Sequence, residues 1–354
     1  MKKVLIIRGS AIGDIVECLP VASAIKNNFD EEFEIHWMVR RKFKKILEGN
    51  RFIDKILYYE DYKDLWFRIV KRIYRRKKNL DGLNSWLKYS SASKLKKEHY
   101  DIVINLHGKL DGRMFNVMCN APQSITAPWL DFEDTVYGST EHRTVENLEA
   151  LKILNENFDL DKFIESQIDY GWSFSQEEID KTNIILKENN CDGDGYIVLV
   201  LGTTWQSKNY PIENWIKLVE LMECLGKKIV FVGDGKDKVI LNKITSDIKS
   251  GFIVDLIGKT SLKEMIIVLT QAAVVVGGDT GPLHIADSLN VKTITLMNPT
   301  FPDKYAPFGK QRIVLTAEYP CKNCHIVKCP KGICCMKYID PQKVFKTIET
   351  CLKF

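Results

Sequence analysis

The sequence predicts an α/β protein made of two doubly wound parallel sheets in tandem. Three observations carry this expectation. The chain of 354 residues is too long for one ordinary hydrophobic core. Short apolar runs alternate with stretches of helical periodicity, the pattern of βαβ units. That rhythm starts afresh at 196–201, where six apolar residues run without a break after a polar tract at 155–190.

The elements follow in order. Residues 4–7 read as a buried strand, because four apolar residues ended by Arg8 are too few for the core of a signal peptide. A glycine-containing turn leads into a helical pattern at 12–27, then strands at 34–39 and 102–105. A helix is expected at 144–157, where Thr144 and Asn147 make a weak capping pair. Beyond 196 the strands are 228–232, 253–256, 273–276 and 293–297, with helices at 215–224, 262–269 and 283–289. The expected domains are 1–175 and 190–335, with a C-terminal helix at 336–354 packing back on the first domain. Two such sheets place ligand-binding loops at the carboxyl ends of their strands, facing a cleft.

Composition narrows the functional classes. A hydrophobic content of 45% is that of a folded protein. No run approaches the roughly 20 apolar residues that span a bilayer, so a soluble, cytoplasmic protein is expected. The net charge of +5 is unevenly spread: from Lys63 to Lys97 there are twelve Lys or Arg against two acids. Such a basic segment meets phosphates, nucleic acid or an anionic membrane, or is simply a solvated helix surface. Of the ten cysteines, five crowd into 321–335.

Four loops at strand ends could carry chemistry. In Arg8-Gly9-Ser10-Ala11-Ile12-Gly13-Asp14 a strand runs through two glycines into a helix. The G-x-x-x-G spacing is not the dinucleotide fingerprint, which argues against a nucleotide-dependent oxidoreductase. Asp14 either complements the helix dipole, which the local sequence favours, or acts as a general base for an attacking hydroxyl. The loop after 196–201 offers Thr203, Thr204 and Lys208, suited to a diphosphate leaving group or merely to a surface. Gly277-Gly278-Asp279-Thr280-Gly281-Pro282-Leu283-His284 is the sharpest signal, with three glycines, a hydroxyl and a helix-initiating proline between strand and helix. His284 could reach a ligand or pack locally. Gly233-Asp234-Gly235-Lys236-Asp237 places acids where ribose hydroxyls bind in other nucleotide folds.

Taken together, these segments resemble glycosyltransferase family nine, the ADP-heptose–lipopolysaccharide heptosyltransferases. The matching stretches are 6–20, 202–215 and 277–299, the last with a G-D-T-G-x-x-H-x-A-x-x-L core. The resemblance implies a GT-B architecture, two Rossmann-like domains facing a central cleft, the acceptor domain first and the donor domain second. It also implies inverting, metal-independent transfer, with no cofactor beyond the nucleotide sugar. Carried over, Asp14 is the general base and Gly13 lets its loop approach the reacting centre. Thr203, Thr204 and Lys208 grip the diphosphate, joined by Asp279, Thr280, Gly281 and His284. Asp237 matches a ribose-contacting position that is usually Glu. The alternatives are a GT-B transferase using another nucleotide sugar and a sugar-nucleotide epimerase.

The implied acceptor is a lipid-anchored, acidic saccharide on the cytoplasmic face of the inner membrane of a Gram-negative bacterium. That gives the segment Lys63 to Lys97 a motive, with Trp66, Phe67, Ile69, Val70 and Ile73 interleaved among its cations as in an interfacial helix. His107 and Arg113 face the acceptor too, or are ordinary surface. A monomer that binds no nucleic acid is expected. The cluster Cys321-x2-Cys324-x4-Cys329-x4-Cys334-Cys335 is compact enough for a structural zinc or iron–sulfur site, but lacks paired CxxC spacing, and reduced structural thiols or a local disulfide are the favoured reading.

Overall fold

The computed structural model describes residues 1–75, 82–127, 141–191, 195–321, 323–332 and 334–353. It divides into two units, Met1–Ser173 and Phe174–Phe354. The first holds a five-stranded sheet with order β3-β2-β1-β4-β5. Its strands are β1 (Lys2–Ile7), β2 (Phe33–Val39), β3 (Lys55–Tyr58), β4 (Ile102–Asn105) and β5 (Gln123–Thr126). The second holds a six-stranded sheet with order β11-β10-β9-β6-β7-β8. Here β6 is Tyr196–Val200, β7 Ile229–Val232, β8 Ile253–Asp255, β9 Ala272–Gly278, β10 Thr293–Met297 and β11 Arg312–Thr316. Every strand pair in both sheets is parallel.

The central strands read as unbroken apolar runs because helices cover both faces of a parallel sheet. Val4, Leu5, Ile6 and Ile7 are each fully buried, and all of β6 is buried. The edge strands are weaker in sequence. β5 is Gln-Ser-Ile-Thr and half-exposed, so it carries no apolar run to find. The expected helix at 12–27 is two helices, Ile12–Val16 and Leu19–Asn27. Pro20 explains the break: inside a continuous helix it would clash, whereas at the start of a new one its missing N–H costs nothing.

The tract at 155–190 is more ordered than its polarity implies. It contains the helix Gln176–Glu188, opened by a capping box in which Ser175 and Glu178 bond reciprocally at 3.2 and 2.9 Å. The C-terminal helix Pro341–Lys353 belongs to the second unit. Its Val344, Ile348 and Cys351 enter the hydrophobic core of that unit, alongside Trp215, Leu218 and Ile294.

Both sheets change winding direction at a defined place. In the first unit the order reverses between β1 and β4, and in the second between β6 and β9. Ligands of doubly wound sheets bind outside the carboxyl ends of the strands at such points.

Close packing at the second of these points depends on Gly277. A Cβ there would stand 2.8 Å from Leu283 Cδ2 and 2.9 Å from Val200. Gly277→Ala is expected to cost about 1–3 kcal/mol, as overpacked cores do, read as a lowered urea midpoint. Gly251→Ala, where a Cβ meets nothing within 4 Å, should leave the midpoint in place.

Candidate active site

In the second unit a salt bridge spans the β6/β9 switch point. Lys208, on the loop after β6, reaches Asp279, at the end of β9, with Nζ 2.5 Å from Oδ2. Both side chains are largely buried, 13% and 8% exposed. The same Oδ2 accepts from the Thr300 hydroxyl at 3.0 Å, and His284 Nε2 lies 3.4 Å from Oδ1. Burial alone would raise the Asp279 pKa, but His284 and Lys208 more than reverse it and hold the carboxyl far below the usual range. Lys208 also lies over the Trp205 ring, 4.4 Å from its centroid. The result is a cation of fixed position beside the start of the helix Gly281–Ser288, whose first N–H groups favour an anion.

Thr203, Thr204, Thr280 and Gly281 lie around this pair in the chain, but their roles differ. The Thr203 hydroxyl is 2.7 Å from the Trp205 carbonyl and 2.8 Å from Asn209 Oδ1, so it builds its own loop. Thr204 is exposed, and Thr280 occupies the N-cap position with extended backbone but no side-chain capping bond. Of the glycines, Gly277 and Gly278 are buried and serve packing: a Cβ on Gly278 would stand 2.8 Å from Thr203 Cγ2. Asp237 is 7% exposed, with Oδ2 accepting from the Asp234 N–H at 3.1 Å. Its carboxyl fills the space a side chain on Gly202 would need, and burial pushes its pKa up.

In the first unit the β1/β4 switch point is also bridged by a cation. Arg8, 5% exposed at the end of β1, donates to the Leu106 carbonyl just beyond β4 at 2.5 Å. Its other nitrogen reaches Asp14 Oδ1 at 2.6 Å. Asp14 Oδ2 accepts from the Ala11 N–H at 2.6 Å, which caps the short helix Ile12–Val16. The Asp14 side chain nevertheless stays 42% exposed. It is therefore a helix-capping carboxylate that keeps part of its surface open to solvent. Gly13 lies inside the helix, its carbonyl accepting from the Glu17 N–H; the close approach in this loop is made at Gly9, where a Cβ would meet the Tyr59 ring at 2.7 Å.

Several expectations about the acceptor side change. His107 is 3% exposed, neither on the surface nor open to an acceptor. Burial, with Arg8 and Lys109 nearby, lowers its pKa to about 3, so it is a neutral ring beside Tyr59. Arg113 donates to the Gly108 carbonyl at 3.1 Å and braces its own loop. Within the basic segment, Lys63 and Lys71 both pair with the buried Asp111, so two of its cations turn inward and share one counter-charge. Phe67 and Val70 are core residues, not interfacial ones. Residues 76–81 of that segment lie outside the described residues.

Sequence reasoning missed Arg8 and Thr300, which hold Asp14 and Asp279. It also missed a use for the cysteine-rich segment. His325 packs edge-on against Trp205, ring centroids 4.9 Å apart, and the Val327 carbonyl accepts from the Ser207 N–H at 3.0 Å. Asn298 Nδ2 donates to the Cys321 carbonyl at 2.9 Å. The segment thus braces the loops after β6 and β10. Cys321, Cys324, Cys329 and Cys334 are free thiols, and among the described residues no three His, Cys, Asp or Glu side chains gather as metal ligands would.

The sequence profile of Glycosyltransferase family 9 (heptosyltransferase) matches residues 89–333, more than half of the chain. The chain belongs to this family. It is thus a glycosyltransferase, and its two parallel-sheet units are those of the GT-B architecture. Lipopolysaccharide heptosyltransferase 1 of Campylobacter coli is 25% identical to it over 369 residues, covering 98% of each chain. Among solved structures, a family 9 glycosyl transferase from Veillonella parvula superposes with a TM-score of 0.77 at 18% identity, covering 99% and 97% of the two chains. The E. coli heptosyltransferase WaaC with ADP gives 0.69 at 20% identity, covering 99% of each.

The family's G-D-T-G stretch thus has a structural centre in Asp279. Asp279→Asn should cost about 3–5 kcal/mol at neutral pH, because it leaves Lys208 buried without its counter-charge. The carboxylate's contribution is complete above its unfolded pKa, about 4, and is lost as pH falls through the lower folded value. The gap between wild type and Asp279→Asn in urea unfolding should therefore narrow on acidification.

Proposed function

We propose that this protein is an inverting, metal-independent heptosyltransferase. It moves a heptose from ADP-heptose to a lipid-linked, acidic saccharide of the lipopolysaccharide core, at the cytoplasmic face of the inner membrane. The observation that carries this reading is the Lys208–Asp279 pair at the β6/β9 switch point. It holds a cation ready for a departing diphosphate, where other transferases use Mg²⁺. The name of the Campylobacter coli relative supports the acceptor class, and the ADP in the WaaC structure supports the nucleotide.

In this mechanism the Asp14 carboxylate accepts the proton of the acceptor hydroxyl as that oxygen bonds to the anomeric carbon. The bond from that carbon to the β-phosphate oxygen breaks on the opposite face, and ADP leaves with the electron pair. Lys208 and the N–H groups at the start of the helix Gly281–Ser288 meet the developing charge. Arg8 fixes the carboxylate's orientation through its contact at 2.6 Å. Thr204, Thr280 and Gly281 contact the phosphates, and Asp237 shapes the Gly202 backbone on the nucleoside side.

Asp14→Ala should lower kcat by about 10²–10⁴-fold, the usual contribution of a general base, with ADP affinity by calorimetry nearly unchanged. Retained turnover would sink the role of Asp14. Lys208→Ala should instead weaken ADP binding by about tenfold or more. Unchanged ADP affinity in that variant would remove the central support for the donor site.

A further inference from the structure

The helix Leu65–Tyr74 has three chemically distinct sides. At about 100° per residue, Phe67, Val70 and Tyr74 fall together, and these are buried in the core of the first unit. A second side carries Arg68, Arg72 and Arg75, all exposed. The third carries Leu65, Ile69 and Ile73, which are 73%, 41% and 47% exposed. A helix serving only the fold needs one apolar side, and the second one here is left uncovered among the described residues.

The exposed apolar side continues beyond the helix. Trp66, next to Ile73 around the helix, stacks on Trp86 with ring centroids 6.1 Å apart and meets Tyr89 edge-on at 6.4 Å. Trp86 and Tyr89 are 46% and 70% exposed. With Ser85 they line an open hollow of about 560 Å³. Lys88 Nζ sits 5.0 Å from the Tyr89 ring centroid. Large apolar and aromatic side chains are thus exposed together, flanked by the exposed cations Arg68, Arg72 and Lys88.

We propose that this face is a docking surface for an anionic phospholipid bilayer. Leu65, Ile69 and Ile73 enter the boundary between headgroups and acyl chains, and Trp86 and Tyr89 sit at headgroup depth, where amphipathic rings are favoured. Arg68, Arg72 and Lys88 meet the lipid phosphates. Charge decides the partner: a cationic rim around an apolar stripe matches an anionic membrane, whereas a soluble acidic saccharide would need the cations alone. The inference rests on the reading of a membrane-borne acceptor, but it concerns a different surface from the reaction site, so the two can fail separately.

The test is flotation of the purified full-length protein with acceptor-free vesicles of phosphatidylethanolamine and phosphatidylglycerol, against vesicles of phosphatidylcholine alone. The wild type should float with the anionic vesicles and largely stay behind with the neutral ones. Ile69→Ser/Ile73→Ser should lower the partition coefficient about tenfold, and Arg68→Gln/Arg72→Gln by a similar factor. The isoleucine variant should keep its melting temperature, and its turnover on an acceptor stripped of acyl chains should be unchanged. Equal flotation of the isoleucine variant and the wild type would overturn the proposal. So would a loss of turnover on the stripped acceptor by that variant, which would make the face part of saccharide or protein recognition. Anionic-vesicle binding without any heptosyl transfer would leave the surface standing and contradict the proposed reaction instead.

Discussion

A buried charge must be answered, and in the second unit that requirement organises the site. Asp279 ends β9 with little exposure, so its carboxylate is tolerable only because Lys208, Thr300 and His284 surround it. Those partners come from the loop after β6, the loop after β10 and the following helix, so one carboxylate fixes three segments at once. Gly277 and Gly278 let the backbone come close enough for this to happen. Trp205 and His325 then pin the lysine loop from outside. The cation is thereby pre-positioned, and pre-positioned charge is what stabilises a leaving group without reorganisation during reaction.

The first unit applies the same device with the signs exchanged. A buried cation, Arg8, ties the end of β1 to the chain beyond β4 and orients a half-exposed carboxylate, Asp14. At each switch point one charge is spent on holding the fold and its partner is left where chemistry is proposed. His107, which neighbours Arg8, is kept neutral by the same burial that keeps Arg8 in place.

The α/β class, the two sheets and the strand-end loops were legible in the residues, because buried parallel strands write themselves as apolar runs. β1, β4, β6 and β10 fall within a residue or two of where those runs predict them. β5 was invisible for the converse reason: an edge strand of Gln, Ser, Ile and Thr has no buried face to encode. The capping box at Ser175 was present in the sequence but hidden in a polar tract. Asp14 and Lys208 could be picked out as chemical types, yet not their partners, since Arg8 and Thr300 are ordinary residues until tertiary packing sets them beside a carboxylate. The amphipathic pattern around Trp66 was legible, but not which apolar residues face inward; Phe67 and Val70 belong to the core, and Leu65 and Trp86 to the surface.

In the glycine-marked loop at 277–281 the buried Gly277 and Gly278 serve packing, and Asp279 beside them holds Lys208 in place. The proposed donor site is argued most directly at its diphosphate end, through Lys208, and the proposed sugar rests on the relatives alone. The most direct test of the whole account is therefore a donor screen read by mass spectrometry. The purified enzyme is offered ADP-heptose, ADP-glucose and UDP-sugars together with a lipid-linked core acceptor. The account predicts a single heptose added to the acceptor from ADP-heptose, with release of ADP. Transfer from a UDP-sugar, or consumption of ADP-heptose to another sugar nucleotide without acceptor, would contradict it.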